Sequence, residues 1–116
     1  MSKQTVLIVE DAEFMRSLLK KELEEVGYEV VGEAKDGKEG IMLYFKLFPD
    51  IVTMDISMPN IDGIEATKQI LSKDPKAKII AVSGNNDEEI KQKILRAGAL
   101  DYLQKPFQPA YLWEKL

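Results

Sequence analysis

The chain of 116 residues has no cysteine and no histidine. Disulfides, zinc–thiolate sites, thiol nucleophiles and Ser-His-Asp triads are thereby excluded within it. Arginine stands only at Arg16 and Arg96, and no basic block occurs. The net charge is −4, from 16 basic and 20 acidic residues. Phosphate neutralisation needs a concentrated basic face, so this domain is not expected to bind nucleic acid. No apolar run approaches membrane-spanning length, and the start MSKQTVLIVEDAEF lacks the layout of a signal peptide. A cytoplasmic location, with no membrane contact, is the expectation. Repeats, low-complexity tracts and linkers are also missing, so one domain over 1–116 is expected. What remains for chemistry is carboxylate, hydroxyl, amide and ammonium. Oxygen ligands of this kind suit hard cations such as Mg²⁺.

The apolar pattern alternates short β-branched runs with amphipathic segments. Strands are expected at TVLIV (5–9), EVVGEA (29–34), DIVTMD (50–55), KIIAVS (78–83) and LDYLQ (100–104). Runs apolar on both faces, such as TVLIV and KIIAVS, fit strands covered by helices on each side of a parallel sheet. Phe14, Met15, Leu18, Leu19, Leu23 and Val26 recur at helical spacing and predict a first helix, stopped at Gly27. A second is expected from about Lys38 to Phe48, entered through Asp36-Gly37 and stopped by Pro49. A third follows Asp62-Gly63 with Ile64, Ala66, Thr67, Ile70 and Leu71, and ends near Asp74-Pro75. A fourth follows Asn85-Asn86, with Asp87, Glu88 and Glu89 at its start, Ile90, Ile94 and Ala97 inward, and Gly98 as its stop. A fifth opens at Pro109 and is cut off at Leu116. Strict β–α alternation predicts an α/β fold, a doubly wound parallel sheet with right-handed crossovers. Such sheets bind ligands beyond the carboxyl ends of their strands.

The strand ends carry Glu10-Asp11, Asp55, Ser83 and, just past the fifth strand, Lys105. Three carboxylates, a hydroxyl and an ammonium are thus expected on one rim, with Asp55 at the mouth of a crevice. Clustered carboxylates repel and raise one another's pKa values. A divalent cation relieves that repulsion, and Lys105 relieves part of it. An Asp beside Mg²⁺ and a lysine is placed to attack phosphorus and form an aspartyl phosphate. Ser83 could donate its hydroxyl hydrogen to a phosphoryl oxygen. Taken singly, Glu10-Asp11 reads as a helix-capping pair, Asp55 as a turn residue, Ser83 as a loop hydroxyl and Lys105 as a surface lysine. Four separate strand ends each bearing what one reaction needs is the stronger signal.

Those residues sit in VLIVEDAEFMR (6–16), DIVTMDISMPNIDGIE (50–65), AVSG (81–84) and RAGALDYLQKPF (96–107). In these stretches the chain resembles the receiver domain of two-component response regulators, the CheY-like group, over essentially its whole length. The resemblance implies a five-stranded sheet in the order 2-1-3-4-5, with helices on both faces. It implies that Asp55 is the phosphoacceptor, and that Glu10, Asp11, Asp55 and the backbone carbonyl of Ser57 hold Mg²⁺. Ser83 then bonds the phosphoryl group, Lys105 is the matching lysine, and Tyr102 is the aromatic switch residue. The Lys105–Pro106 peptide bond would be cis. A sensor histidine kinase would supply the phosphate, and the surface of helix 4, strand 5 and helix 5 would engage an output protein. Ser83 would move toward the phosphoryl group and Tyr102 would rotate inward. The product is a switch acting on itself, including loss of its own phosphate, more than a metabolic enzyme. FMR, DIVTMDISMP and KPFQP resemble stand-alone chemotaxis regulators that bind the flagellar motor switch; a receiver excised from a larger DNA-binding regulator shares most of these motifs.

Two departures from pattern stand out. GIMLYFKLF (40–48) is apolar around most of its circumference. Deeper packing explains this as well as a contact surface, with Leu43, Phe45 or Phe48 in a protein contact such as a homodimer. Trp113 in the short fifth helix reads as an aromatic closing the core edge, near the output face. Three other classes compete with the switch. A flavodoxin-like cofactor carrier wants a Ser/Thr/Gly-rich phosphate loop after the first strand, where this chain has Glu10-Asp11-Ala12-Glu13. A Mg²⁺-dependent phosphohydrolase wants a second acid two residues after Asp55, where Ser57 stands. A degenerate receiver would lack part of the acid–Ser–Lys set, which is complete here.

Overall fold

The computed structural model describes residues 3–56, 58, 62–84 and 87–105. The expected alternation is present in order: β1 (Thr5–Val9), α1 (Glu13–Glu25), β2 (Glu29–Ala34), α2 (Gly37–Leu47), β3 (Ile51–Asp55), α3 (Gly63–Lys73), β4 (Ile79–Ser83), α4 (Glu88–Arg96) and β5 (Asp101–Gln104). All strand pairs are parallel, in the order β2-β1-β3-β4-β5. The expected fifth helix, with Pro109, Trp113 and Leu116, lies outside the described residues, as do Ser57 and Pro106.

The period-two alternation of β1 divides the core. Leu7 and Val9 join Val52, Met54, Tyr44, Ala66 and Ile70 on the face covered by α2 and α3. Val6 and Ile8 join Ile51, Ile80, Leu23 and Tyr28 on the face covered by α1. Both faces of β1 are therefore apolar, and Val6 through Val9 are fully buried. Burying each such side chain contributes about 1.5–3 kcal/mol. A third cluster, Ile56, Ala81, Ile94, Ala99 and Tyr102, lies under α4.

Side chains start most of the helices. Asp36 accepts from the Glu39 amide (2.8 Å), Asp62 from the Glu65 amide (2.9 Å), and Asp87 from those of Glu89 and Ile90 (3.0 and 3.2 Å). Asp87 is thus the cap of α4, one step before its first turn. Gly27 and Gly98 end α1 and α4 with φ of 104° and 113°, a region a Cβ disfavours.

Two apolar stripes differ from expectation. On α1, only Leu23 is fully buried, whereas Phe14 is 76% exposed and Leu18 and Val26 are also exposed. Leu19 and Leu23 pack on the sheet, while Met15 and Leu18 line a cavity beside Val82 of β4. On α2, Leu43 and Phe45 pack against the core. The Tyr44 ring meets Phe45 at 5.1 Å and Phe48 at 5.9 Å, and Lys73 of α3 lies 5.8 Å from the Phe45 ring centre. The wide apolar face of α2 is therefore largely spent on α3 and the sheet. Of the three contact candidates there, Phe48 alone is exposed; Met42, earlier on the same helix, is exposed too. Phe48 ends α2 at φ 45°, in the left-handed region used by helix C-caps; its amide donates to the Tyr44 carbonyl at 2.8 Å and its ring lies 6.1 Å from that of Phe45.

Candidate functional site

β1 lies between β2 and β3, so the chain leaves β1 toward one side of the sheet and returns on the other. This is the switch point of an open α/β sheet, where a crevice forms at the strand ends. Glu10-Asp11 follows β1 and Asp55 closes β3, so the two acidic ends flank that point. Glu10, Asp11 and Asp55 each offer a carboxylate oxygen within 4.8 Å of the others. Glu10 and Asp55 are buried, at 3% and 4% exposure, while Asp11 is exposed. Asp55 thus lies at the floor of the crevice and not at its mouth.

One cation enters from the opposite edge. Lys105 follows β5, and its amide donates to the Ser83 carbonyl (2.7 Å), which ties the two strand ends together. Its Nζ bonds Glu10 Oε1 and lies 3.6 Å from Asp55 Oδ2. Burial pushes the Glu10 carboxyl up. The bonds from Lys105 and the Ala12 amide, with contacts to Asp55 and Asp11, outweigh it and hold the group below its ordinary 4.5. The expected upward shift from like charges is thus reversed at Glu10, because the ammonium is closer than the acids' repulsion can offset. Glu10 is no helix cap either: Ala12 occupies that position without a side-chain bond, and Glu10 Oε2 accepts from the Ala12 amide at 3.1 Å.

Ser83 ends β4 and is 3% exposed. Tyr102 pairs in register with Ala81, two residues before Ser83. Its ring is already buried, at 8% exposure, among Ile56, Ala81, Ile94 and Ala99. Glu10, Asp11, Asp55 and Lys105 are brought together, with Ser83 tied to Lys105 through its backbone; the Ser57 carbonyl and the Lys105–Pro106 bond lie outside the described residues.

Two residues of this site were missed by the pattern of acids. A Cβ on Gly63 would stand 2.2 Å from the Asp55 carbonyl oxygen and 2.6 Å from Ile56 Cα. Glycine there lets the start of α3 press against the end of β3. The Asp62-Gly63 pair signalled a helix entry but not this approach. Arg16 donates through Nη1 to the Glu10 carbonyl at 2.8 Å. Its place one turn into α1 was the available signal.

No helix among the described residues is long and apolar enough to cross a membrane. The family model for the response regulator receiver domain matches residues 6–116. The chemotaxis protein CheY of Thermotoga maritima is 50% identical over 111 residues, covering 96% of this chain and 92% of that protein. CheY of Halobacterium salinarum is 48% identical over 108 residues, covering 93% and 88%. A crystal structure of the CheX-CheY-BeF3-Mg²⁺ complex from Borrelia burgdorferi superimposes with a TM-score of 0.89 at 32% identity, covering 97% of this chain and 85% of that one. A flavodoxin-like carrier finds no support in these likenesses or in an acidic first loop. With the sheet order, the acids at its switch point and the match over nearly the whole chain in agreement, this protein belongs to the response regulator receiver domain family of two-component systems.

Proposed function

We propose that the chain, as one receiver domain, takes a phosphoryl group from a sensor histidine kinase onto Asp55. The observation that carries this reading is the buried Asp55 carboxylate, 3.6 Å from the Lys105 ammonium and clustered with two further acids. Three hard oxygen donors with a net negative balance against one lysine fit Mg²⁺. Glu10, Asp11 and Asp55 would hold it, joined by the Ser57 carbonyl. When bound, it neutralises charge on the acids and on phosphoryl oxygens.

A carboxylate oxygen of Asp55 forms the bond to phosphorus as the bond from phosphorus to the donor's histidine nitrogen breaks. Lys105, held between Glu10 and Asp55, balances charge on the incoming group. Glu10 keeps that lysine in place. Ser83 donates its hydroxyl to a phosphoryl oxygen, and Tyr102 beside it holds the rearranged strand end. Phosphorylation adds about −1.5 to −2 charge and three acceptor oxygens, enough to bias two packings of the rim. The surface of α4 and β5 then changes its affinity for an output partner. The likeness to CheY proteins supports a chemotaxis output such as the flagellar motor switch, and a cytoplasmic site of action. The domain's catalysis is confined to its own phosphorylation and dephosphorylation.

Incubation with Mg²⁺ and acetyl phosphate, followed by intact mass, tests this. One added phosphoryl group on the wild type and none on Asp55→Asn is the expected result. An equal mass gain in both proteins overturns the assignment.

A further inference from the structure

Glu10 is gripped at every polar position given for it. Its amide donates to the Ala34 carbonyl of β2 at 2.9 Å, continuing the sheet by one rung. Its carboxylate is bonded by Lys105 and by the Ala12 amide. Its carbonyl accepts from Arg16 Nη1 at 2.8 Å, in a part-buried setting. Asp11, the next residue, is exposed and depends on the Glu10–Ala12 turn for its direction. That turn leads into a helix with no side-chain cap. The usual device that fixes a helix entry is therefore missing here, and Arg16 stands in its place.

Arg16 is itself anchored. Its Nε lies 3.6 Å from Glu33 Oε1 on β2, and Lys20, one turn further along α1, lies 3.6 Å from Glu33 Oε2. Glu33 pairs in register with Ile8, two residues before Glu10. The guanidinium thus bridges the edge strand and the carbonyl of the acid turn. A planar fork suits this, because separate N–H groups serve the two acceptors at once.

We infer that Arg16 is a positioning residue for cation binding: by clamping the Glu10 carbonyl against Glu33 it holds the Glu10–Asp11 turn in the shape that places both carboxylates beside Asp55. The inference rests on the proposal that these acids hold Mg²⁺. Its sign separates it from plain electrostatics. Arg16 is a cation near an acidic cluster, so by charge alone its removal would tighten Mg²⁺ binding. Positioning predicts the reverse. Residues that orient metal ligands from behind commonly alter affinity by about tenfold or more when replaced.

Calorimetric titration of the full chain with MgCl2 provides the test, alongside urea unfolding in metal-free buffer. Arg16→Met is expected to weaken Mg²⁺ binding about tenfold. Arg16→Lys keeps the charge but reaches one acceptor at a time, and should fall between Arg16→Met and wild type. Glu33→Gln keeps Arg16 and loses its anchor, and should weaken binding less than Arg16→Met; because the lost negative charge acts in the same direction, the sign test rests on the Arg16 variants. Phosphorylation by acetyl phosphate should slow at low Mg²⁺ and recover at saturating Mg²⁺. Unchanged or tighter binding in folded Arg16→Met overturns the inference. If that variant does not fold, unchanged binding in the charge-conserving Arg16→Lys overturns it instead. Wild type that takes up no Mg²⁺ would overturn the cation site itself, a result distinguishable from either.

Discussion

Asp50 and Asp55 stand at the two ends of one strand and meet opposite fates. Asp50, just before β3, is exposed and closed on itself: its Oδ2 accepts from the Thr5 amide at 2.8 Å and the Thr5 hydroxyl at 3.1 Å, and its own amide donates back to that hydroxyl at 2.9 Å. Neutral donors satisfy it, and the result joins β1 to β3 at their start. Asp55, five residues on, is buried among acids that together outnumber the nearby lysine. Its surroundings leave unbalanced negative charge, which is a demand for something from outside. Residue type does not separate the two. The charge balance of the neighbourhood does.

The largest effect should come from filling the space beside Asp55. Gly63→Ala forces a Cβ against backbone at the end of β3. A loss at the upper end of about 1–3 kcal/mol is expected in urea unfolding. An unchanged midpoint would mean that α3 does not press on Asp55. Next, the two aspartates should part company on replacement. Asp50→Ala should cost about 1–2 kcal/mol for its lost bonds yet leave phosphorylation intact. Asp55→Asn should abolish phosphorylation and raise the melting temperature in metal-free buffer, by removing one of three crowded acids. Destabilisation by Asp55→Asn would erase the contrast.

The third effect concerns pH. The folded-state pKa of Glu10 is lowered, so its contribution to stability is present above 4.5 and is lost as pH falls through the folded value. Lys105→Met removes the first of the downward influences and leaves the Ala12 amide bond and the contacts to Asp55 and Asp11 to oppose burial. The acid-side decline of that variant should be shallower than that of wild type. Parallel urea midpoints across this range would contradict the reading. The smallest effect lies across the α2–α3 contact. Tyr44 donates its hydroxyl to Asp74 Oδ2 at 2.6 Å, and burial together with Asp74 raises its pKa above 10.0. Tyr28 is pushed up to about 12 by burial. Both contributions are complete below pH 10 and are lost above it as the unfolded tyrosines ionise. Tyr44→Phe should cost about 1 kcal/mol at neutral pH and flatten part of the alkaline decline.

The strands were legible because both faces of a central parallel strand are apolar, as in Val6 to Val9 and Ile79 to Val82. Helix ends were legible from Asp36, Asp62 and Asp87 and from Gly27 and Gly98. The acids and Lys105 could be gathered because parallel connectivity puts every strand end on one rim. What could not be read depended on depth and reach. Helical spacing placed Phe14 and Leu18 on an inward stripe, but spacing alone does not say how deeply each position of that stripe is covered, and both are exposed. The direction of the Glu10 shift needed the position of Lys105, a residue 95 places away. Gly63 and Arg16 act through backbone atoms of Asp55 and Glu10, which no residue pattern records.

The contrast at β3 can be tested on one peptide. Trypsin releases Leu47–Lys68, which contains Asp50, Asp55 and Asp62 together. Phosphorylating the protein with acetyl phosphate and Mg²⁺, reducing the acyl phosphate with borohydride and sequencing that peptide by mass should find homoserine at position 55. Homoserine at position 50 or 62, or a phosphoryl group carried outside this peptide, would contradict the account.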